Sequence, residues 1–304
     1  MNSVQTRALG KRFGRGWALR DCTLAIPGGQ VAALVGPNGA GKTTLLHMVT
    51  GLTRPTAGAV TVLGGEPAGS PRALDRVAFV AQDAPLYRNL PARAMLHVAR
   101  NLNQRWDQAR AEDRLAELGI PLDRKVGKLS GGQQAQLALT IALARRPRLL
   151  ILDEPLAMLD PLARHEFMAA VMTAVAEDGV SVVLSSHVLA ELERVADYLI
   201  VLAQGRVQVA GEVDALLAGH RMLTGPAAET AQYSERNTVV HCRQAGAQSH
   251  LLVRTAPGAP VPPSWQAGPV GVEELVLAYL REPGAAALPG PALVRAGRGS
   301  GGQP

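Results

Sequence analysis

Residues 36–43, Gly-Pro-Asn-Gly-Ala-Gly-Lys-Thr, constrain this chain more than any other segment. They join an apolar run, residues 31–35, to a stretch with helical character, residues 44–50. A strand, a glycine-rich turn and a helix start in this order are typical of a phosphate-binding P-loop. Glycine has no Cβ, so consecutive backbone N–H groups can curve around a triphosphate while the helix directs its positive end at the same anion. The predicted nucleotide contacts are Gly36, Pro37, Asn38, Gly39, Ala40, Gly41, Lys42, Thr43 and Thr44.

Lys42 and Thr43 give this loop its chemistry. The ammonium of Lys42 would reach the outer phosphates, and the hydroxyl of Thr43 would bind Mg²⁺. Lys42 is one of only four lysines in the chain, against 27 arginines, so composition alone does not account for a lysine here. The alternative, a glycine turn before an ordinary helix, is disfavoured by the strand that precedes it.

The bulk composition predicts a globular protein inside the cell. The chain has 304 residues, which is long enough for two domains. Hydrophobic residues make up 47% of it, so the chain as a whole is not disordered. It has no run of eighteen apolar residues and no signal-peptide pattern at its N-terminus, so we expect a cytoplasmic location. Cys22 and Cys242 are isolated and lack metal-type spacing, which suits a reducing compartment.

The charge of the chain does not predict a nucleic-acid partner. The net charge is +6 and the pI about 9.8, but the basic residues are scattered and form no block of five or six. Aromatic residues make up 3% of the chain, too few for platforms on which bases stack. We therefore expect no direct contact with nucleic acid, and the excess of arginine suits a protein that works beside lipid headgroups.

Apolar runs and helical patterns alternate along most of the chain. Strands are predicted first at residues 4–9, 18–26, 59–63 and 76–81, and a loop is predicted at residues 67–71. After a mostly helical insert, buried strands alternate with helices, the strands at residues 149–152, 180–185 and 198–203 and the helices at residues 162–177 and 188–196. Gln204-Gly205 predicts a hairpin turn from the last of these strands into a strand at residues 206–210. This alternation predicts an α/β fold with a doubly wound sheet and ligands at the carboxyl ends of the strands.

The composition and the pattern of the sequence change near residue 220. We expect a main domain at residues 1–219, with a helical part at about residues 83–145, and a small accessory module at residues 220–282. In the module, residues 238–243 and 250–254 predict paired strands, and residues 272–280 predict an amphipathic helix. Residues 283–304 are rich in proline, glycine and alanine, a composition typical of a disordered tail.

Asp153 and Glu154 directly follow the aliphatic run of residues 149–152. A carboxylate at the carboxyl end of a buried strand, beside a P-loop, can hold Mg²⁺, and Asp153 is the candidate ligand. Glu154 is placed one residue further to polarise an attacking water as the general base. The alternative is a pair of surface acids in a strand-to-helix turn, which the P-loop disfavours.

Residues 129–133, Leu-Ser-Gly-Gly-Gln, form the second decisive motif. Two glycines leave the Ser130 hydroxyl and the neighbouring N–H groups free to face a phosphate at the start of a helix predicted at residues 133–145. The pentapeptide matches the signature motif of ABC transporter ATP-binding subunits, so over residues 4–217 the chain resembles that family. The resemblance implies a P-loop NTPase (RecA-like) core, an N-terminal antiparallel β-subdomain and an α-helical subdomain. It also implies that Ser130, Gly131, Gly132 and Gln133 contact the ATP of a partner subunit.

The same resemblance assigns further residues by position. Gln82 matches the Q-loop glutamine, which touches Mg²⁺ and signals to the permease, and His187 matches the switch histidine that contacts the γ-phosphate. Asp160 matches the D-loop aspartate, which reaches across a dimer interface. Phe13 occupies the position of the aromatic residue that stacks on adenine, although Trp17 is a rival.

Two segments depart from the family pattern. Gln134-Ala135-Gln136 replaces a more basic run after the signature, and Met158 replaces a small residue in the D-loop. Neither change removes a catalytic group, although both alter residues near the expected contacts with a partner.

The resemblance implies a function as the motor of a split transporter. Two subunits would enclose two ATP molecules, each between Lys42 of one subunit and Ser130 of the other, and would drive a separate membrane permease from the inner face of the membrane. The two subunits would close when ATP binds and reopen after hydrolysis assisted by Glu154, and this movement would drive transport. The ending at residues 272–280, without a long regulatory barrel after the core, resembles ATPases that export drugs, antibiotics or lipids.

Other classes of ABC protein fit less well. ATPases that act on ribosomes usually carry two cassettes in one chain, whereas one is present here, and a DNA-repair relative would need a long coiled coil between the P-loop and the signature. A regulatory subunit without hydrolysis is disfavoured because Glu154 and His187 are both present.

Overall fold

The computed structural model describes residues 1–83, 85–157, 159–256 and 258–283. Its strands are, in chain order, β1 (Asn2–Phe13), β2 (Gly16–Pro27), β3 (Val31–Val35), β4 (Ala57–Val62), β5 (Glu66–Pro67), β6 (Val77–Val80), β7 (Leu149–Asp153), β8 (Ser181–Ser186), β9 (Tyr198–Ala203), β10 (Arg206–Glu212), β11 (His220–Pro226), β12 (Thr238–Ala245), β13 (Gln248–Arg254) and β14 (Gln266–Gly268). Its α-helices are α1 (Lys42–Val49), α2 (Pro71–Leu74), α3 (Ala92–Leu102), α4 (Gln108–Glu117), α5 (Gly131–Ala144), α6 (Pro161–Asp178), α7 (Leu189–Leu192), α8 (Val213–Ala218), α9 (Thr230–Arg236) and α10 (Val272–Arg281).

The central sheet has the strand order β10-β9-β3-β8-β7-β6. All neighbouring pairs from β9 to β6 run parallel, and β10 pairs antiparallel with β9 through the turn at Gln204 and Gly205. Strands β3, β7, β8 and β9 are buried at every position, as expected of parallel strands covered by other elements on both faces. The doubly wound α/β core and the β9–β10 hairpin predicted from the sequence are confirmed.

An antiparallel sheet with the order β2-β1-β4-β5 covers one side of this core. Its apolar residues and those of α1 share one hydrophobic cluster with the central sheet, which includes Leu9, Leu46 and Ile200. Strands β1 and β2 extend beyond the predicted apolar runs because they pair with one another almost to the tip of their hairpin. The predicted loop at residues 67–71 is wrong in part, since Pro67 ends β5 and Pro71 begins α2.

Helices α3 and α4 and one face of α5 enclose a separate hydrophobic cluster. Met95, Leu115 and Leu137, one from each helix, are buried in it. The insert is therefore helical, as the absence of strand patterns predicts. Helix α5 also contacts α6 and β6, so it connects this cluster to the main core. Its first turn carries the predicted signature motif.

The C-terminal region forms an antiparallel sheet with the order β12-β13-β11-β14. The predicted strand pair, now β12 and β13, and the predicted helix, now α10, are confirmed, whereas β11, α9 and β14 lie where no element was predicted. The helix predicted at residues 188–196 is shorter in the structure, where α7 ends at Leu192. Helix α10 packs against β9, α7 and α8, and the hydrophobic cluster of the main core continues through Val276 and Tyr279. Met158 and residues 284–304 lie outside the described residues.

Candidate functional site

The turn between β3 and α1 folds closely against its neighbours at two of its three glycines. A Cβ on Gly36 would lie 2.2 Å from the carbonyl oxygen of Leu202, closer than any real side chain approaches. Gly41 has φ +106°, and a Cβ there would lie 2.7 Å from the carbonyl oxygen of Ala18. These positions accept only glycine without rearrangement. The glycines of the predicted P-loop are thus required by its geometry.

Lys42 is the first residue of α1 and its ammonium is buried beside the loop. Its Nζ donates a hydrogen bond of 2.8 Å to the carbonyl oxygen of Gly36 and lies 3.1 Å from Glu154 Oε1. The Lys42 and Glu154 side chains are only 6% and 9% exposed. A buried ammonium needs a compensating anion, and Glu154 provides it. The loop lysine and the acid after β7 therefore belong to one site.

Glu154 is held in position by the strand next to its own. Residue Asp153 ends β7 opposite Ser185 of the parallel strand β8. The Ser185 hydroxyl donates a hydrogen bond of 2.6 Å to Asp153 Oδ1 and accepts one of 2.8 Å from the Glu154 N–H. Glu154 itself has φ +49°, an uncommon conformation for a residue with a side chain. Ser185 thus fixes the turn that directs Glu154 at Lys42.

The role of Ser185 was not predicted from the sequence. Its contact with Asp153 depends on the register between two strands that are 32 residues apart in the chain. The two serines that end the buried strand β8, Ser185 and Ser186, were the available signal.

His187 follows β8 and completes the group. Its Nδ1 contacts Glu154 Oε2, so the two carboxylate oxygens of Glu154 are shared between Lys42 and His187. The His187 side chain is half exposed, on the open side of the buried pair.

An open cleft of about 280 Å³ lies above these side chains. Its described lining joins residues 37–44 of the loop to Ala18, Gln82, Glu154 and His187. The cleft thus lies at the carboxyl ends of β3, β6, β7 and β8, which is where ligands bind in a parallel sheet. Backbone N–H groups, an ammonium, a carboxylate and an imidazole in one cleft suit the binding of a phosphate chain and the activation of a water.

The predicted signature residues lie elsewhere on the surface. Ser130 is the exposed N-cap of α5, where its hydroxyl accepts the Gln133 N–H at 3.2 Å and the Gln133 side chain accepts the Ser130 N–H at 3.1 Å. A Cβ on Gly132 would lie 3.1 Å from Ala163 Cβ in the first turn of α6. Asp160 caps that helix by accepting the Ala163 N–H at 2.9 Å. None of residues 129–133 is among the described residues that line the cleft.

Comparison with known proteins identifies the family. A family model described as "ABC transporter" matches residues 19–157. The chain is 33% identical over 213 residues to the lantibiotic transport ATP-binding protein SrtF of Streptococcus pyogenes, and the match covers 69% of this chain and 91% of that protein. The chain belongs to the ABC transporter family. The family and the α/β P-loop fold predicted from the sequence are confirmed, and the ATP-binding subunits of this family are ATPases.

Other relatives of this ABC cassette are named for different transport functions. The Fe(3+) ions import ATP-binding protein FbpC of Pseudomonas fluorescens is 38% identical over 222 residues, or 69% of this chain and 62% of that protein. The Nod factor export ATP-binding protein I of Burkholderia lata is 36% identical over 220 residues, with 70% and 72% covered. The chain therefore spans less than two thirds of the length of the iron protein.

Solved structures of ABC cassettes have the same fold. The ATP-binding subunit of an ABC transporter superimposes with a TM-score of 0.63 at 28% identity, covering 70% of this chain and 91% of that one. A dimeric cassette in a post-hydrolysis state, bound to ADP and Pi, superimposes with a TM-score of 0.62 at 26% identity, covering 69% and 98%.

The two candidate adenine-stacking residues of this ABC cassette lie near the tip of the β1–β2 hairpin. Phe13 is 58% exposed, and the ammonium of Lys11 lies 5.1 Å from its ring centroid. Trp17 is 43% exposed and packs over Gly10, where a Cβ would lie 2.9 Å from the indole ring. Neither residue is part of the described lining of the P-loop cleft, although Ala18 next to Trp17 is.

Proposed function

We propose that this chain is the ATP-hydrolysing subunit of a split ABC transporter and that Glu154 is its general base. The observation that carries the proposal is the joint contact of Glu154 with Lys42 and His187 in the P-loop cleft. In this arrangement, Lys42 binds the outer phosphates, and Glu154 accepts a proton from the attacking water. His187 holds the second carboxylate oxygen and would keep Glu154 directed at that water.

The oxygen donors around the cleft suit Mg²⁺ as the cofactor. Thr43 offers a hydroxyl, Gln82 an amide oxygen and Asp153 a carboxylate, and Mg²⁺ prefers such oxygen ligands together with substrate phosphates and water. When bound, the ion would neutralise charge on the phosphates. Thr43 and Gln82 line the cleft, and Asp153 is buried behind it with its carboxylate accepting the Ser185 hydroxyl. Among the described residues, no group of three His, Cys, Asp or Glu forms a cage for a metal, so the phosphates would supply part of the coordination.

We infer that the working unit is a dimer. The exposed Ser130 lies at a helix N-terminus, a position where N–H groups attract phosphate, but it is not part of the described lining of its own P-loop cleft. A second copy, or a paired ABC ATPase, would place its Ser130 and Asp160 against the ATP bound by the first. The solved dimeric cassette with ADP and Pi has the same fold and supports this arrangement.

Mixing two defective variants tests the dimer and the P-loop roles together. Lys42→Ala should abolish turnover because the phosphates lose their ammonium, and Ser130→Arg should abolish it by blocking the partner's phosphate. Mixed dimers keep one intact site, so an equimolar mixture should recover about a quarter of the wild-type ATPase rate if the sites act independently. Lys125→Ala, which changes an exposed lysine away from the described lining of the P-loop cleft, should keep the full rate. A mixture no more active than its components would refute the shared site.

The subunit would act at the inner face of a membrane beside a separate permease. Within the described residues, no helix has both the length and the apolar character that crossing a bilayer requires. The relatives are named ATP-binding proteins of transport systems, which supports a permease on another polypeptide. Co-purification with the polytopic membrane protein of an adjoining gene tests this. Purification of a catalytically active chain bound to ribosomes instead would favour an ABC ATPase without a permease.

We propose export as the direction of transport. The support is the helix α10 at residues 272–281, which resembles the ending of exporter ATPases, and the relative named for Nod factor export. The relative named for Fe(3+) import favours the opposite direction, import. Proteoliposomes that contain the chain and its permease decide between them, since ATP added on the side of this subunit should drive substrate to the other side. Uptake towards the ATP side would refute export.

A further inference from the structure

A second cleft, of about 460 Å³, lies in the C-terminal region between α10 and one face of the β12-β13-β11 sheet. This volume falls in the range of sites that hold small organic molecules. The cleft shares none of its described lining residues with the P-loop cleft. Helix α10 forms one of its walls and also packs against β9, so a ligand here would touch a helix that contacts the ATPase core.

The register of the strands gives the sheet wall one mostly apolar row and one basic row. Met222 of β11 lies opposite Leu252 of β13, and Leu252 lies opposite His241 of β12. The next row on the same face places Arg243 opposite His250. Because side chains alternate along a strand, both rows point into the same cleft, which they line.

Helix α10 presents a similar combination from the other wall. Glu274, Leu277, Ala278 and Arg281 are spaced by three and four residues, so they lie on one face of the helix, and all four line the cleft. The cleft therefore has an apolar middle, with Leu277 on the helix and Leu252 on the sheet, and an arginine from each wall.

The acidic groups near this cleft each contact another group of the chain, whereas its arginines have no such partner in the described part of the chain. Glu274 accepts the Gly271 N–H at 3.2 Å and thereby caps α10. Glu282 lies 3.5 Å from His241 Nδ1. Within the described residues, Arg243 and Arg281 have no ion pair, side-chain hydrogen bond or ring contact. The two exposed guanidinium groups outnumber Glu274, the one carboxylate in the described lining, so the cleft favours an anionic ligand with an apolar body.

A metal ion does not fit the same cleft. His241 and His250 are its only described imidazoles, and no group of three His, Cys, Asp or Glu in the described residues could hold an ion. The Nδ1 of His250 lies 3.0 Å from the Thr224 hydroxyl, which leaves only Nε2 for a ligand.

We propose that this cleft binds a small amphipathic carboxylate. The carboxylate would accept hydrogen bonds from Arg243 and Arg281, and its hydrocarbon part would lie between Leu252 and Leu277. Guanidinium groups recognise carboxylates through paired, charge-assisted hydrogen bonds, so affinity should depend on the negative charge as well as on the apolar chain.

Titration calorimetry with decanoate as the probe tests the site in the full chain. Decanoate should bind, and decan-1-ol, which has the same chain and no charge, should bind at least tenfold more weakly. Arg243→Gln and Arg281→Gln should each lower decanoate affinity about tenfold, since each removes a charge-assisted hydrogen bond. Arg7→Gln, which removes an exposed arginine on β1, should leave the affinity unchanged.

The result that overturns the proposal is equal binding of decanoate by wild type and the Arg243→Gln/Arg281→Gln double variant. Equal affinity for decan-1-ol and decanoate would also overturn it, because binding would then depend on apolar surface alone. The Lys42→Ala variant should bind decanoate like wild type, so a failure at this cleft and a failure of the proposed ATPase site give different results.

Discussion

Lys42 Nζ lies 3.1 Å from Glu154 Oε1, and both side chains are buried. Each charge is therefore compensated by the other, and the removal of either leaves a buried charge without this partner. The phosphates of a nucleotide are anions that bind the same ammonium, so they compete with Glu154 for it. Under the proposed mechanism, this competition releases the carboxylate from Lys42 and leaves it available to the attacking water.

Glu154→Gln should retain ATP binding and lose turnover. The amide keeps the size of the side chain but cannot accept the proton, so the rate of phosphate release should fall by about a hundredfold or more. ATP should bind at least as tightly as in wild type, because no anion then competes for Lys42, and an ATP-bound dimer should accumulate in size-exclusion chromatography. Glu117→Gln, at an exposed acid that ends α4, is the matched control and should hydrolyse ATP normally. Wild-type turnover in Glu154→Gln would remove Glu154 from the mechanism.

Ser185→Ala should reduce both turnover and stability. The change leaves the Glu154 N–H and Asp153 Oδ1 without their buried partner, which should lower the free energy of unfolding by about 1–3 kcal/mol. Turnover should fall about tenfold because the turn that holds Glu154 loosens. Urea unfolding and steady-state ATPase assays measure the two effects.

Ser181→Ala separates these effects, because Ser181 lies at the other end of the same strand. Its buried hydroxyl accepts the Gly29 N–H at 2.8 Å, so its loss should also destabilise the fold. Turnover should stay close to wild type at a temperature where both variants are folded. Equal loss of turnover in the two serine variants would mean that Ser185 acts only through stability.

The P-loop, the acids after β7 and the signature could be predicted because their chemistry lies in short contiguous segments. Gly36, Lys42 and Glu154 can be recognised from their own neighbours in the sequence, and the structure then brings Lys42 and Glu154 together. Ser185 could not be assigned in this way. Its role follows from the register between β7 and β8, and register is a property of the folded sheet.

In the C-terminal region, a whole strand could not be predicted from the sequence, because its formation also depends on pairing in the folded sheet. Strand β11 begins with His220 and ends with Pro226, and its short sequence has no strict apolar alternation. It is a strand because β13 and β14 pair with it on both sides. Helix α10, in contrast, has an apolar face that was visible in the sequence, and that face packs on the core.

Cys22 and Cys242 should differ strongly in reactivity. Burial raises the pKa of the Cys22 thiol to about 11, whereas Cys242 is exposed. Only the thiolate reacts, so iodoacetamide at pH 8 should modify native Cys242 about a hundredfold faster than Cys22. Mass spectrometry should find one modified cysteine in the native protein and two after unfolding. Comparable labelling rates at the two cysteines in the native protein would contradict the buried position of Cys22.

His220 should make the fold less stable as the pH falls below about 6.5. Burial lowers the pKa of its imidazole, and the neutral ring joins α8 to α10 by donating from Nδ1 to the Leu216 carbonyl and accepting at Nε2 from the Tyr279 hydroxyl. The unfolded chain binds a proton that the folded chain excludes, so the stabilisation is complete above pH 6.5 and is lost on acidification, by at most about 1.4 kcal/mol per pH unit. Urea unfolding between pH 7.5 and pH 5 should therefore show a flatter pH dependence for His220→Asn than for wild type. His97→Asn, at an exposed histidine of α3, should keep the wild-type slope, and a wild-type slope in His220→Asn would show that another group titrates.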